Sequence, residues 1–279
     1  MNFKSAYKSI KGKNDVIKVY DNFLEKWLVP YEEVNIETSY GKTFIIKCGE
    51  ESLPPLILLH GTCSNSSMWI GDIADYSKYY CVYAIDILGE PGKSEDRQYP
   101  LKGSAYCEWL NEVINILQLQ KVSFVGISLG AWMAVGFSTK YPLKVEKLVL
   151  LCPSGIGSQK ISFMLKAIPL MLFGKWGSNK IARLVNGNQE IPREALDYTR
   201  LISKHFNMRT EPVPIYKDEE LKQLSMPILV YAGDKDVLLN SKETINRISL
   251  LLPHANTNLL IGYGHVLINF KSEVIDFLS

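Results

Sequence analysis

The segment Val125-Gly126-Ile127-Ser128-Leu129-Gly130 places a hydroxyl nucleophile between two glycines, after an apolar run and before a stretch of small residues. That order reads as strand, tight turn, helix, with the Ser128 hydroxyl projecting above the strand end. A serine hydroxyl is a weak nucleophile at neutral pH and needs a base within hydrogen-bond reach, most often histidine. The chain has four histidines. His205 falls in a helical pattern, His254 follows Leu-Leu-Pro at a helix end, and His60 ends an apolar run where a ring shapes a loop. His265, in Gly262-Tyr263-Gly264-His265 after the last apolar run, can reach across the sheet end where such folds bind ligands. It is the expected base.

An imidazolium formed at His265 needs a carboxylate to fix its tautomer and balance its charge. Ile228 to Ala232 followed by Gly233-Asp234-Lys235-Asp236 offers two, of which Asp236 is favoured and Asp234 competes. Attack on a carbonyl also needs donors for the oxyanion. The backbone N–H of Leu129, the residue after the nucleophile, is one candidate, and that of Thr62 in His60-Gly61-Thr62-Cys63 is the second. Each such donor lowers the barrier by about 3 kcal/mol.

These groups need a scaffold that brings distant strand ends together. Short, nearly continuous apolar runs at Leu56–His60, Cys81–Asp86, Val122–Ile127, Val145–Leu151 and Pro227–Ala232 suit strands buried on both faces. Helical patterns at Ser66–Tyr76, Gly103–Leu119 and Leu129–Lys140 alternate with them, which predicts an α/β layered sheet. The pattern continues through Ser241–Leu252, Thr257–Ile261 and Val266–Leu278. Before it, Asp15–Leu28 predicts an amphipathic helix stopped by Pro30, and Tyr31–Thr38 with Thr43–Cys48 predict an edge hairpin.

One segment breaks the alternation. Residues 157–216 contain helical patterns, including Ile161–Phe173, Asn179–Val185 and Arg193–His205, but no convincing strand. We read them as a helical cap inserted between two strands, because long insertions in compact domains are usually functional. Residues 1–30 then form an N-terminal helical extension packed on the body, with 31–156 and 217–279 as the core. Phe163, Met164, Leu165, Ile168, Leu170, Met171, Leu172, Phe173 and Trp176 are candidates either to roof an apolar pocket or to pack the cap on the body.

Composition narrows the function classes. The 279 residues are 47% hydrophobic and 22% charged with a net charge of +2, which fits one large globular domain and excludes coiled coil and collagen. Without a block of Lys and Arg there is no electrostatic case for nucleic acid as a partner. Five cysteines lack any C-x-x-C pair and read as free thiols, and no secretory signal or membrane span is visible. A cytoplasmic protein with a small-molecule substrate, no nucleic-acid partner and no membrane partner is the expectation. Gly89-Glu90-Pro91-Gly92-Lys93-Ser94 superficially suggests a phosphate loop, but Ile87 stands where that motif requires glycine. Cys63 is expected to be a bystander.

Ser128, Asp236 and His265 occur in that order, each after a different strand. With His60-Gly61-Thr62, the Asp86-x-x-Gly89-x-x-Gly92-x-Ser94 loop, Gly233-x-x-Asp236 and Gly264-His265, the chain resembles the α/β-hydrolase superfamily, and within it the small bacterial carboxylesterases. The resemblance covers most of residues 31–279. It implies an eight-stranded, mostly parallel sheet flanked by helices, a helical cap after the sixth strand, and no metal or organic cofactor. The implied activity is ester hydrolysis through an acyl-enzyme. C–C bond hydrolysis, amide hydrolysis, perhydrolysis or ligand binding with vestigial activity use nearly the same residues.

Overall fold

A computed structural model of the chain describes residues 5–160, 163, 167, 169, 170, 172–187, 189–267 and 270–279. Among them, strands β1 (Tyr31–Thr38), β2 (Gly41–Cys48), β3 (Pro55–Leu59), β4 (Cys81–Ile85), β5 (Val122–Ile127), β6 (Val145–Leu151), β7 (Ile228–Gly233) and β8 (Asn256–Leu260) form one sheet. Its order is β1-β2-β4-β3-β5-β6-β7-β8. The pairs from β4 through β8 are parallel, and β2 alone runs against its neighbours. The mostly parallel eight-stranded α/β sheet is therefore as expected.

Period-two alternation builds the two faces. On β3, Leu56 and Leu58 enter one apolar cluster while Ile57 and Leu59 enter the other, all fully buried. Burying each such side chain contributes about 2 kcal/mol. Helices α3 (Ala105–Ile116), α4 (Leu129–Lys140) and α8 (Ser241–Leu251) cover the Ile57 face. The other face is covered by α1 (Ile10–Leu24), a 3-10 turn at Ser66–Gly71, α2 (Ile73–Tyr76), α6 (Arg193–His205) and α9 (Lys271–Leu278). Further helices are α5 (Gly174–Asn186) and α7 (Asp218–Leu221). From Leu129 to Ser138, α4 is buried all round, as suits a helix at the centre of a layer.

The differences from the sequence reading are local. Helix α1 begins at Ile10 rather than Asp15 because the Ser9 hydroxyl caps it by accepting the Gly12 N–H at 3.0 Å. It ends at Leu24, leaving Leu28 exposed. Of the hairpin expected at the edge, only β1 lies there. Strand β2 pairs with β4 in register Ile45↔Ile85, since Phe44, Ile45 and Ile46 are apolar on both faces and buried. The expected helix Ser66–Tyr76 is a 3-10 turn followed by α2, and the last helix starts at Lys271 rather than Val266.

The N-terminal segment touches both the sheet and α6. Val16, Tyr20 and Leu24 are buried in the sheet-facing cluster, while Phe23 packs on Tyr198 of α6 at 5.3 Å between ring centroids. Tyr7 bridges Phe206, and the backbone N–H of Lys8 donates to His205 O at 2.8 Å. Of the apolar residues expected to roof a pocket or pack a cap on the body, Met164, Leu165, Ile168 and Met171 lie outside the described residues, as does most of the helix expected at Ile161–Phe173. Phe163 is buried and Leu170 half-buried, but Leu172, Phe173 and Trp176 are exposed.

Candidate active site

Ser128 sits at the turn from β5 into α4 with φ 53° and ψ −107°, a left-handed conformation that a side chain adopts only under constraint. Two close approaches supply the constraint. A Cβ on Gly130 would lie 2.2 Å from Leu59 O, and one on Gly126 would lie 2.7 Å from Ala131 N. The helix start therefore nests against the ends of β3 and β5 only because both positions are glycine. Backbone bonds lock the turn: Ser128 N–H donates to Leu151 O at 3.0 Å, and Ser128 O accepts from Trp132 N at 3.0 Å.

The three side chains singled out in the sequence meet. His265 Nε2 lies 2.9 Å from Ser128 Oγ, and His265 Nδ1 lies 2.7 Å from Asp236 Oδ2. Asp236 and His265 are buried, at 1% and 6% exposure, and Ser128 is half-buried. The second Asp236 oxygen accepts the N–H groups of Leu238 at 2.7 Å and Leu239 at 3.0 Å. Burial pushes the Asp236 carboxyl up, yet the facing His265 and those two N–H donors outweigh it and hold the group below its ordinary value. It therefore stays ionised beside the ring.

Asp234 is placed elsewhere. It accepts the Gly262 N–H at 2.6 Å and pairs with Lys235 at 3.3 Å, bracing the turn that carries His265. The other histidines do not reach Ser128 either. His205 closes α6 beside Gly12, and His254 is exposed. His60 is fully buried; its Nδ1 donates to Gly61 O at 2.9 Å and its Nε2 accepts the Ile87 N–H at 2.9 Å. Because Gly61 O and Thr62 N share one trans peptide, that first bond turns the Thr62 N–H the opposite way.

A Cβ on Gly61 would lie 3.7 Å from Ser128 Cβ, so the turn containing Thr62 borders Ser128. Neither Thr62 N–H nor Leu129 N–H has a hydrogen-bond partner among the described residues. Both are free to donate to a ligand. Thr62 is exposed and Leu129 is buried at the first position of α4, where the helix dipole also favours negative charge.

The Gly89–Ser94 loop forms no phosphate nest, since its amides are used internally. Lys93 N–H donates to Asp86 Oδ2 at 2.8 Å, and Gly92 N–H to Glu90 O at 2.8 Å. Among the described residues, Cys152, Asp236 and His265 place possible ligand atoms within 4.8 Å of one another. Burial and the neighbouring Asp236 push the Cys152 thiol up, however, and a neutral thiol is a poor metal ligand. Burial likewise raises Cys63, which leaves it unreactive. A cavity of about 410 Å³ lined by Thr38, Tyr40, Glu95 and Tyr99 contains none of these residues.

Some contacts were not singled out from sequence. Ser154 Oγ lies 3.3 Å from Ser128 Oγ, Lys160 Nζ donates to Asp236 O at 2.7 Å, and His265 N–H donates to Val185 O in α5 at 2.7 Å. Ser154 alone carried a signal: it lies three residues past the end of β6, near the strand ends where Ser128, Asp236 and His265 also gather.

The α/β hydrolase fold family profile matches residues 54–184. An uncharacterised carboxylesterase, nap, of Bacillus subtilis is 29% identical over 261 residues, covering 90% of this chain and 86% of that protein. Carboxylesterase YbfK of the same organism is 27% identical over 269 residues, covering 93% and 90%. The crystal structure of carboxylesterase CesB (YbfK) superposes with a TM-score of 0.86 at 26% identity, covering 96% of this chain and 99% of that one. That of the Bacillus subtilis naproxen esterase (carboxylesterase NP) gives 0.87 at 26% identity, with 98% and 100% covered. With this sheet order, this strand-to-helix turn and these relatives, the chain has the α/β hydrolase fold and is similar along nearly its whole length to bacterial carboxylesterases.

Proposed function

We propose that the protein hydrolyses carboxylic esters of small, partly hydrophobic molecules through an acyl-enzyme on Ser128. The observation that carries this reading is the continuous hydrogen-bond chain from Ser128 Oγ through His265 to Asp236. Ser128 Oγ attacks the ester carbonyl as His265 Nε2 takes its proton, and Asp236 holds the ring and balances its charge. The Thr62 and Leu129 N–H groups receive the oxyanion. His265 returns the proton to the leaving alkoxide, and a water deprotonated by the same nitrogen then cleaves the acyl-enzyme to acid and free Ser128. Water and the chain's own groups account for every proton.

Residues 157–216 serve as the cap in this proposal, supported by the bond between Val185 and the His265 backbone. A cytoplasmic location is supported by five free cysteines, of which Cys48, Cys81 and Cys152 are buried. Among the described residues no helix is long and apolar enough to cross a membrane. The substrate is a small molecule and nucleic acid is not a partner, as the near-neutral charge supports.

The test is hydrolysis of p-nitrophenyl esters together with labelling by a fluorophosphonate. The folded protein should label once per chain, and Ser128→Ala should lose both labelling and turnover while melting at the same temperature. Folded wild-type protein that neither labels nor hydrolyses any ester would point instead to ligand binding on the same scaffold.

A further inference from the structure

Glu90 and Arg209 form a buried ion pair, with 0% and 5% of their side chains exposed and 3.0 Å between Arg209 Nε and Glu90 Oε1. The other carboxylate oxygen, Oε2, accepts the backbone N–H of Cys63 at 2.7 Å. Cys63 has φ 56°, a left-handed conformation costly for a side chain and kept only where its surroundings hold it. Arg209 is itself fixed, donating to Tyr99 O at 2.7 Å and to the Tyr106 hydroxyl. The peptide on one side of Thr62 is clamped by His60 through Gly61 O. The peptide on its other side is clamped by Glu90 through the Cys63 N–H.

We infer that Glu90 is a positioning residue for the oxyanion site: its carboxylate holds the Thr62–Cys63 peptide so that the Thr62 N–H stays aimed at the carbonyl attacked by Ser128. Arg209, from the stretch following α6, supplies the counter-charge that keeps a carboxylate so close to a developing oxyanion from opposing it. The inference rests on the proposed esterase reading. Released from Glu90, the Cys63 N–H becomes an unpartnered, half-buried donor, and the strained turn relaxes toward another acceptor.

Two double variants remove both buried charges and differ in the acceptor they leave. Glu90→Gln with Arg209→Met keeps an oxygen for the Cys63 N–H, whereas Glu90→Leu with Arg209→Met does not. On a p-nitrophenyl ester, the Gln pair should keep kcat within about threefold, and the Leu pair should lose about 30-fold or more with KM little changed, approaching the loss of one oxyanion donor. Inhibition by an aryl trifluoromethyl ketone, whose tetrahedral adduct presents an oxyanion, should weaken by the same factor in the Leu pair. Glu90→Asp keeps the charge for Arg209 but withdraws the acceptor, and should lose about 10-fold in kcat, which decides the matter if the Leu pair does not fold. Equal kcat and inhibition in the Gln and Leu pairs, an effect confined to KM, or an unaltered Glu90→Asp enzyme would overturn the inference while leaving the esterase reading intact. A wild-type protein without esterase activity would overturn that reading first.

Discussion

The backbone N–H of His265 donates to the carbonyl of Val185 in the last turn of α5, at 2.7 Å. The residue proposed as base is thus fastened to the inserted helices as well as to Asp236. A Cβ on Gly264 would come within 2.4 Å of Val185 O and 2.5 Å of Gly187 N. Gly264→Ala should therefore push the imidazole off Ser128 and lower kcat/KM by about 10- to 100-fold, since misplacement of about 1 Å costs that much. Steady-state kinetics on a p-nitrophenyl ester checks this; an unchanged rate would show that the loop shifts without moving the ring.

The two acids after β7 should differ sharply. Asp236→Asn leaves the ring without its charge partner and favours the wrong tautomer, so kcat should fall by about 10³ to 10⁴. Asp234→Asn alters the brace to Gly262 and removes the pair with Lys235, and should keep activity within about tenfold, with a lower melting temperature. Reversed effects would move the carboxylate role to Asp234.

Glu90 links stability to pH. Burial pushes its carboxyl from an ordinary 4.5 to about 7, against the opposing pull of Arg209 and the Cys63 N–H. The folded protein then binds a proton that the unfolded chain has released, so this stabilisation is complete below pH 4.5 and is lost as pH rises through about 7. The swing is about 3 kcal/mol. Compared with Glu90→Gln, the wild-type melting temperature should drop between pH 5 and 8. Parallel melting curves for the two proteins would refute the coupling.

Two glycine-to-alanine changes test the turn that carries Ser128 against a neutral control. Gly130→Ala would drive a methyl into Leu59 O at 2.2 Å, whereas a methyl on Gly71 meets nothing within 4 Å. The first should cost about 3 kcal/mol or more and abolish activity by displacing Ser128, and the second should change stability by less than about 0.5 kcal/mol. Chemical denaturation with an activity assay reads both.

The strands were legible because parallel strands buried on both faces leave continuous apolar runs, as at Leu56 to Leu59. Ser128 and His265 stood out because close backbone approach demands glycine around them. Asp236 could be favoured over Asp234 but not separated from it, since both follow β7 and only folded geometry decides which oxygen faces a ring. Long-range polar contacts left no local pattern. Glu90 reaches Cys63 across 27 positions and Arg209 across 119, and no spacing along the chain announces either. Helix ends were misjudged where a hydroxyl, such as that of Ser9, rather than apolar periodicity set the boundary.

The strap between the N-terminal segment and α6 bears on the order in which the protein assembles. Lys8 Nζ donates to Ser203 O across 195 positions, and the backbones of Ala6 and Lys8 pair with Asn207 and His205. During synthesis these bonds to α6 and Asn207 cannot form until most of the chain has emerged. Closing so long a loop is an entropic cost met late, after the sheet exists to hold both ends in place. The strap is thus a latch set at the end of folding, and in hydrogen exchange its amides should open before those of β3 and β5.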